Sequence, residues 1–226
     1  MYRPRAFAVD EVKALHAAIR ARVLATVAVV EDGDVHLAYA PVVVDEDGRF
    51  GSLRFHLARQ NPVTSLLDGA KVKVSFLGPD GYVSPDWYAA DGFVPTWNYI
   101  AIEGEGVARR LEGDACETAL ADLSAQQEAK LTPKPSWTMA KLTATRRHQL
   151  LEAISVFVLP LSRLEGKYKL SQDKSAADRA GVVQALKALR DPDATTLARV
   201  MNMHGSGQSV TVDKTGVGKV GGKHEP

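Results

Sequence analysis

The chain has 226 residues, enough for one domain with a substantial core and a tail. Lys and Arg total 28 against 27 acidic residues, and a net charge of +1 gives no electrostatic footprint for non-specific nucleic-acid or membrane binding. One cysteine, Cys116, excludes an intramolecular disulfide and a cysteine-rich metal site; without an apolar leader or a run that would span a bilayer, a cytoplasmic location and no membrane partner are expected.

Asp10 is the expected N-cap of a helix through about Arg22, with Val12, Leu15, Ile19 and Val23 at near-helical spacing. The period then changes. Val23 to Val30 reads as a strand, Glu31-Asp32-Gly33-Asp34 as a hairpin turn and Val35 to Val44 as a second strand. Asp45-Glu46-Asp47-Gly48 turns into a third strand, Arg49 to His56, completing an antiparallel meander. Pro41 marks a bulge or an edge, because proline cannot donate to the ladder.

The run His56-Leu57-Ala58-Arg59-Gln60-Asn61-Pro62 follows. Asn61 is a strong N-cap, Pro62 suits the first helical turn and Gly69 suits its end. A strand leading into a helix N-terminus presents free N–H groups to an anion, and Arg59 adds a cationic fork. An ordinary capped turn with a surface arginine has the same pattern, so both readings stay open.

Ala70 to Leu77 alternates, with Val72, Val74 and Phe76 inward. Gly78-Pro79-Asp80-Gly81 reads as a turn cluster, and Tyr82, Trp87, Tyr88, Phe93, Trp97 and Tyr99 follow it closely. Such a block suits a ligand wall, a subunit interface or a packed core loop. Asn98 is expected on the strand face opposite Trp97 and Tyr99. That strand is expected to run to Leu111 and to bend at Gly104 and Gly106.

Asp114 with Glu117 reads as an acidic capping box for a helix to about Lys130, whose apolar stripe is Ala119, Leu120 and Leu123. Cys116 on it reads as spare. After Pro133 and Pro135, a helix from about Thr143 carries Leu150, Leu151 and Ile154, and Ile154 to Leu164 forms the last strand. Beyond it Lys167, Lys169, Gln172 and Lys174 converge before Ser175 and Asp178, a capping box for a helix to about Arg190. This is either a second anion or polar-ligand site or a solvated loop. Gly181 brings no turn chemistry, so Ala176 to Leu189 reads as one amphipathic helix and not as a helix-turn-helix. The six histidines are scattered without metal-ligand spacing, and no dinucleotide fingerprint or Ser/His/Asp motif competes.

Together, HLARQNP, GYVSPDWY with VPTWNY, and RLEGKYKLSQDKSAADRAGV resemble the PaiB family of FMN-binding split-barrel proteins, over about residues 1 to 190. The resemblance implies a mainly β protein with peripheral helices (α+β), built as a six-stranded Greek-key split barrel and forming a homodimer with two flavin sites. It also implies similarity to pyridoxamine-phosphate-oxidase-like flavoproteins and a description as negative regulators of transcription. By position, His56, Leu57, Ala58, Arg59, Asn61 and Pro62 would meet the FMN phosphate from one subunit. Trp97, Asn98 and Tyr99 would face the isoalloxazine or the interface, and Lys167, Lys169, Ser171 and Gln172 would close the site. Two departures stand out: Asp173 replaces a commoner asparagine and Tyr168 a commoner tryptophan. Residues 1–190 are thus expected to form the flavin domain, and the Gly- and Lys-rich stretch 191–226 a mobile tail.

Two functional classes follow from the resemblance. A regulator would act through a protein partner or a small-molecule reaction, since direct DNA binding needs a clustered basic face that this chain lacks. A flavin-dependent oxidoreductase would act on a small molecule through bound FMN. Related split barrels allow a third, haem binding with His56 as ligand.

Overall fold

The computed structural model describes residues 1–205. In chain order they form β1 (Ala8–Val9), α1 (Val12–Arg22), β2 (Leu24–Glu31), β3 (Asp34–Asp45), β4 (Ser52–Ala58), β5 (Lys71–Val83), β6 (Thr96–Val107), β7 (Arg109–Leu111), α2 (Asp114–Glu128), α3 (Ala144–Glu152), β8 (Ile154–Lys169), α4 (Ala176–Ala188) and α5 (Pro192–Gly205). The strands order as β1-β8-β4-β3-β2-β5-β6, and β6 also pairs with β8. The six long strands therefore pair in a ring, as a six-stranded barrel requires, while β1 and β7 are short additions on β8. Sequential β2, β3 and β4 followed by β5 returning beside β2 is the Greek-key order.

The chain divides into two compact units. One comprises Val23–Ser75 with Gly104–Arg163. Its hairpin closes with Glu31 opposite Asp34, and Asp32 (φ 50°) with Gly33 (φ 91°) supply the left-handed pair that a two-residue turn needs. Pro41 stands at a change of partners: β3 pairs with β2 up to Pro41 and with β4 from Val42 onward. A residue without an N–H suits that exchange point. Phe55 and Phe157, opposite each other on β4 and β8, stack at 5.7 Å in the core. The expected bend at Gly104 and Gly106 has a different physical basis. A Cβ at Gly106 would lie 2.1 Å from the Pro160 carbonyl oxygen, so glycine permits close backbone approach, and the strand breaks instead at Ala108. The Asp114–Glu117 capping box does not form: the N-cap is Gly113 (φ 58°) without a side-chain cap, and both acids lie inside the first turn, where they favour the positive helix end. Cys116 donates its thiol to the Leu111 carbonyl, and burial pushes its pKa up.

The other unit comprises Met1–Arg22, Phe76–Glu103 and the chain from Leu164 onward. Leu15 and Ile19 bury the inner face of α1. The expected turn at Gly78–Gly81 is a correction: β5 runs straight through it to Val83. A Cβ at Gly78 would meet Ile100 Cβ at 2.8 Å, so this glycine marks a close strand contact and not a reversal. Ser175 caps α4 as expected, accepting from Asp178 N–H at 3.1 Å. α4 runs unbroken through Gly181, where a Cβ would lie 2.1 Å from the Trp87 carbonyl oxygen. α5 lies in the stretch expected to be a tail; Leu197, Ala198, Val200 and Met201 are buried, so packed structure continues past residue 190. The remainder of that stretch, 206–226, lies outside the described residues.

Candidate functional site

In the first unit, His56 to Pro62 carries the end of β4 into a short 3-10 helix, Pro62–Leu66. Asn61 caps it as expected, its Oδ1 accepting from Val63 N–H at 3.0 Å. Asn61 N–H donates to the Ala58 carbonyl at 2.9 Å, and Thr64 Oγ1 donates to the same carbonyl at 3.0 Å. The turn is therefore stitched by its own side chains. Leu57 points into the core, whereas Ala58 is exposed. The Arg59 backbone N–H donates to Ala153 O at 2.8 Å and its Nη2 to Ile154 O at 3.2 Å. That aims an exposed guanidinium past the strand end with most of its donors unused. His56 faces away from the core; burial lowers its pKa and keeps the imidazole neutral.

In the second unit the structure brings Trp97, Asn98, Lys169 and Ser171 together. Trp97 is half exposed, donates Nε1–H to Asp80 at 2.8 Å and meets Tyr82 edge-on at 5.6 Å. Asn98 lies on the opposite face, 1% exposed, and donates Nδ2–H to Ser171 Oγ at 2.8 Å. Its Oδ1 is buried without a partner. Lys169 donates to Thr96 Oγ1 and to the Trp97 carbonyl, and burial lowers its pKa. Lys167 lies over the rings of Tyr99 and Tyr2 at 5.3 and 5.5 Å. Gln172 is committed to its own loop: Oε1 accepts from Leu170 N–H and Nε2 donates to the Tyr168 carbonyl.

Asn98, Lys169 and Ser171 border a cavity of about 170 Å³ whose wall also includes Tyr88, Phe93 and Thr96; Trp97, Tyr99, Lys167 and Gln172 are not among its wall residues. Phe93 meets the tilted ring of Tyr88 at 4.4 Å between centroids, and the Lys174 ammonium lies over its ring at 4.9 Å. The Asp173 carboxylate is held by Lys174 at 2.9 Å, which offsets its charge beside the cavity. Tyr168 fills its position fully, 1% exposed, with an unpartnered hydroxyl whose pKa burial pushes up. The loop that carries Tyr88 is anchored by Asp178, which the sequence reading treats only as a helix cap. Its Oδ1 accepts from Ala89 and Ala90 N–H at 2.9 and 3.1 Å, and Oδ2 accepts from Ser175 Oγ–H at 2.7 Å. A carboxylate one turn into a helix, beside an aromatic loop distant in sequence, leaves no local signal for that second role. Among the described residues, no cluster of His, Cys, Asp and Glu is placed to hold a metal. No helix among them is long and apolar enough to cross a membrane.

Comparisons with known proteins bear on this geometry. The family model described as "Putative FMN-binding domain" matches residues 1–163. The chain is 27% identical over 202 residues to the Protease synthase and sporulation protein PAI 2 of Bacillus subtilis, covering 89% of this chain and 96% of that one. It is 28% identical over 207 residues to an uncharacterized protein of Emericella nidulans, covering 76% and 82%. Among solved structures, the flavocytochrome Anf3 from Azotobacter vinelandii superposes with a TM-score of 0.55 at 16% identity over 74% of this chain and 72% of that one. An FAD and haem binding protein from Mycobacterium smegmatis gives 0.54 at 20% identity, over 74% and 76%. The structural likenesses establish the split-barrel fold, and the sequence relative matches the PaiB resemblance. The family match covers well over half of the chain, which therefore belongs to the FMN-binding domain family, with FMN as its cofactor.

Proposed function

We propose that the protein is a PaiB-type flavoprotein in which, at a dimer interface, the His56–Pro62 segment of one subunit meets the FMN phosphate, Asn98, Lys169 and Ser171 meet the flavin ring system, and Trp97 and Tyr99, on the opposite strand face, meet the interface. The observation that carries this reading is the buried, unpartnered Oδ1 of Asn98 beside a cavity with aromatic and cationic walls. A buried acceptor without a donor is costly, and a flavin ring carries an N–H that would satisfy it. Arg59 supplies a charge-assisted donor for a phosphate; the capped 3-10 turn positions it, and Leu57 and Pro62 stiffen that turn. Ser171 orients Asn98, and Lys169 is held against Thr96 and Trp97. Bound FMN supplies redox chemistry; these residues bind and orient it. Titration of FMN into Arg59→Ala should show binding weaker by about 1.5–3 kcal/mol, and unchanged affinity would refute the phosphate assignment.

The proposal includes a homodimer. Register puts Leu37 opposite Ala28, Tyr39 opposite Thr26 and Val35 opposite Val30, so Leu24, Val30, Val35, Leu37 and Tyr39 share one face of the β2–β3 hairpin. These five side chains are 53–67% exposed, an apolar patch typical of an interface. By contrast, the aromatics of Tyr82 to Trp97 largely pack on one another, with Tyr82 edge-on to both Trp87 and Trp97. Any effect on transcription is proposed to be indirect, through a protein partner or a small-molecule reaction. Lys167, Lys169 and Lys174 of the densest basic loop already engage Tyr99, Trp97 and Asp173. Binding to promoter duplexes should be weak and lost at physiological salt; tight, selective binding there would favour direct repression.

A further inference from the structure

The outward side of β4, in the unit of Val23–Ser75 with Gly104–Arg163, carries a second cavity, of about 290 Å³. Along β4, Leu53, Phe55 and Leu57 are buried inward, while Arg54 and His56 lie beneath α2 and α3. Polar ties hold this layer. Arg54 forks onto Asp45 at 2.6 and 2.8 Å and reaches Asp122 of α2 at 2.8 Å, and Arg147 of α3 pairs with Glu117 of α2 at 3.1 Å. Apolar packing is sparse: α2 buries only Ala119, and α3 buries no residue at all. A nine-residue helix normally depends on tertiary burial of one face, which α3 lacks. Its Leu150 and Leu151 instead line the cavity, with Trp137, Met139, His56 and Arg147 among the other wall residues. No carboxylate lines it; its polar groups are the Arg147 guanidinium, which keeps donors beyond the one paired with Glu117, the His56 imidazole, the Ser124 hydroxyl and the Trp137 indole N–H. The His56 side chain makes no hydrogen bond among the described residues, and burial keeps it neutral, leaving one donor and one acceptor available.

We propose that this groove is a second ligand site, for a small carboxylic acid with an apolar body. The body completes the packing under α3, and the carboxylate meets the outer donors of Arg147 with His56 as a further donor. The volume sits at the low end of small-molecule pockets, which fits one short aliphatic or bicyclic acid. His56 alone is shared with the segment proposed to meet FMN; there the Arg59 guanidinium is the phosphate donor and the His56 imidazole stays on the groove, so the two readings fail separately, and absence of FMN binding leaves this groove unaffected.

The probe is the fluorescent anion 1-anilinonaphthalene-8-sulfonate, bound to the full chain and displaced by decanoate or decanol. Decanoate should displace it at least tenfold more effectively than decanol, and should slow amide exchange across residues 144–152. Arg147→Ala, a partly exposed position that leaves the core intact, should abolish the preference for the acid. Ser124→Trp, at the cavity wall, should weaken both competitors. Saturating FMN should leave the probe in place. Equal displacement by acid and alcohol, or a preference surviving in Arg147→Ala, would overturn the proposal. So would stoichiometric displacement by FMN, which would make the groove part of the flavin site. Haemin binding with a Soret band lost in His56→Ala would likewise reassign the groove to haem.

Discussion

Removing the Asn98–Ser171 pair should separate stability from cofactor binding. In Asn98→Leu/Ser171→Ala, the 2.8 Å Nδ2–H···Oγ bond disappears, at a cost of about 0.5–1.5 kcal/mol. The unpartnered Oδ1 disappears with it, which returns a penalty of about 1–3 kcal/mol. Ser171 has φ 59°, and alanine bears that conformation no worse than serine. Deleting both partners should therefore leave the fold unchanged or slightly more stable. FMN loses an acceptor worth about 1–3 kcal/mol, which is a weakening of about 5- to 150-fold. Urea unfolding of the flavin-free chain and quenching of flavin fluorescence on titration give the two numbers. A variant that loses more than about 2 kcal/mol of stability yet binds FMN like the wild type would refute the argument, because Asn98 would then be purely structural.

Gly181→Ala sets a backbone clash against a gain in helix propensity: the new Cβ would meet the Trp87 carbonyl at 2.1 Å. Overpacking costs about 1–3 kcal/mol against about 0.5–1 kcal/mol gained, a net loss of up to about 2.5 kcal/mol, so calorimetry should show Tm lower by up to about 10 °C, and a rise would mean the loop yields freely. Asp178 is held below the usual carboxylate range, chiefly by the Ser175 hydroxyl and then by the Ala90 and Ala89 amides. Its contribution is present above the ordinary carboxylate range and lost as the pH falls through the depressed folded value, so Asp178→Asn should lower Tm more at pH 7 than in strong acid; equal losses would contradict this. Leu37→Glu/Tyr39→Glu charges the exposed β2–β3 face and should shift sedimentation from dimer to monomer without loss of β-structure, whereas an unchanged dimer would move the interface elsewhere.

The barrel is legible in the sequence wherever one physical cause dominates locally. Alternation at Val72, Val74 and Phe76 predicts their burial, and the Asp32-Gly33 dihedrals reward the hairpin reading. The same glycine chemistry misleads at Gly78–Gly81, since a glycine needed for close approach to Ile100 looks locally like one needed to turn. Asp114 and Glu117 satisfy a capping pattern, but Gly113 takes the cap because its φ of 58° reverses the chain after β7. α5 has apolar residues at Leu197, Val200 and Met201 and begins at Pro192 after Asp191, whose Oδ1 accepts from Ala194 N–H, but the Gly- and Lys-rich composition of 191–226 as a whole reads as a tail. At the candidate site, the strand period predicts that Asn98 faces away from Trp97. That Asn98 meets Ser171, 73 residues away, and keeps an unsatisfied oxygen depends on tertiary contact that no local pattern encodes. Gln172 shows the converse, because a polar residue within the matched motif spends both ends of its amide on its own backbone loop.

The most direct test of the account is the visible spectrum of the full chain after saturation with FMN and removal of unbound flavin by gel filtration. Retained flavin absorption at one FMN per chain, reduced in Arg59→Ala and in Asn98→Leu/Ser171→Ala, is the predicted result. A colourless eluate from the wild type, with no change in flavin fluorescence on titration, would contradict it.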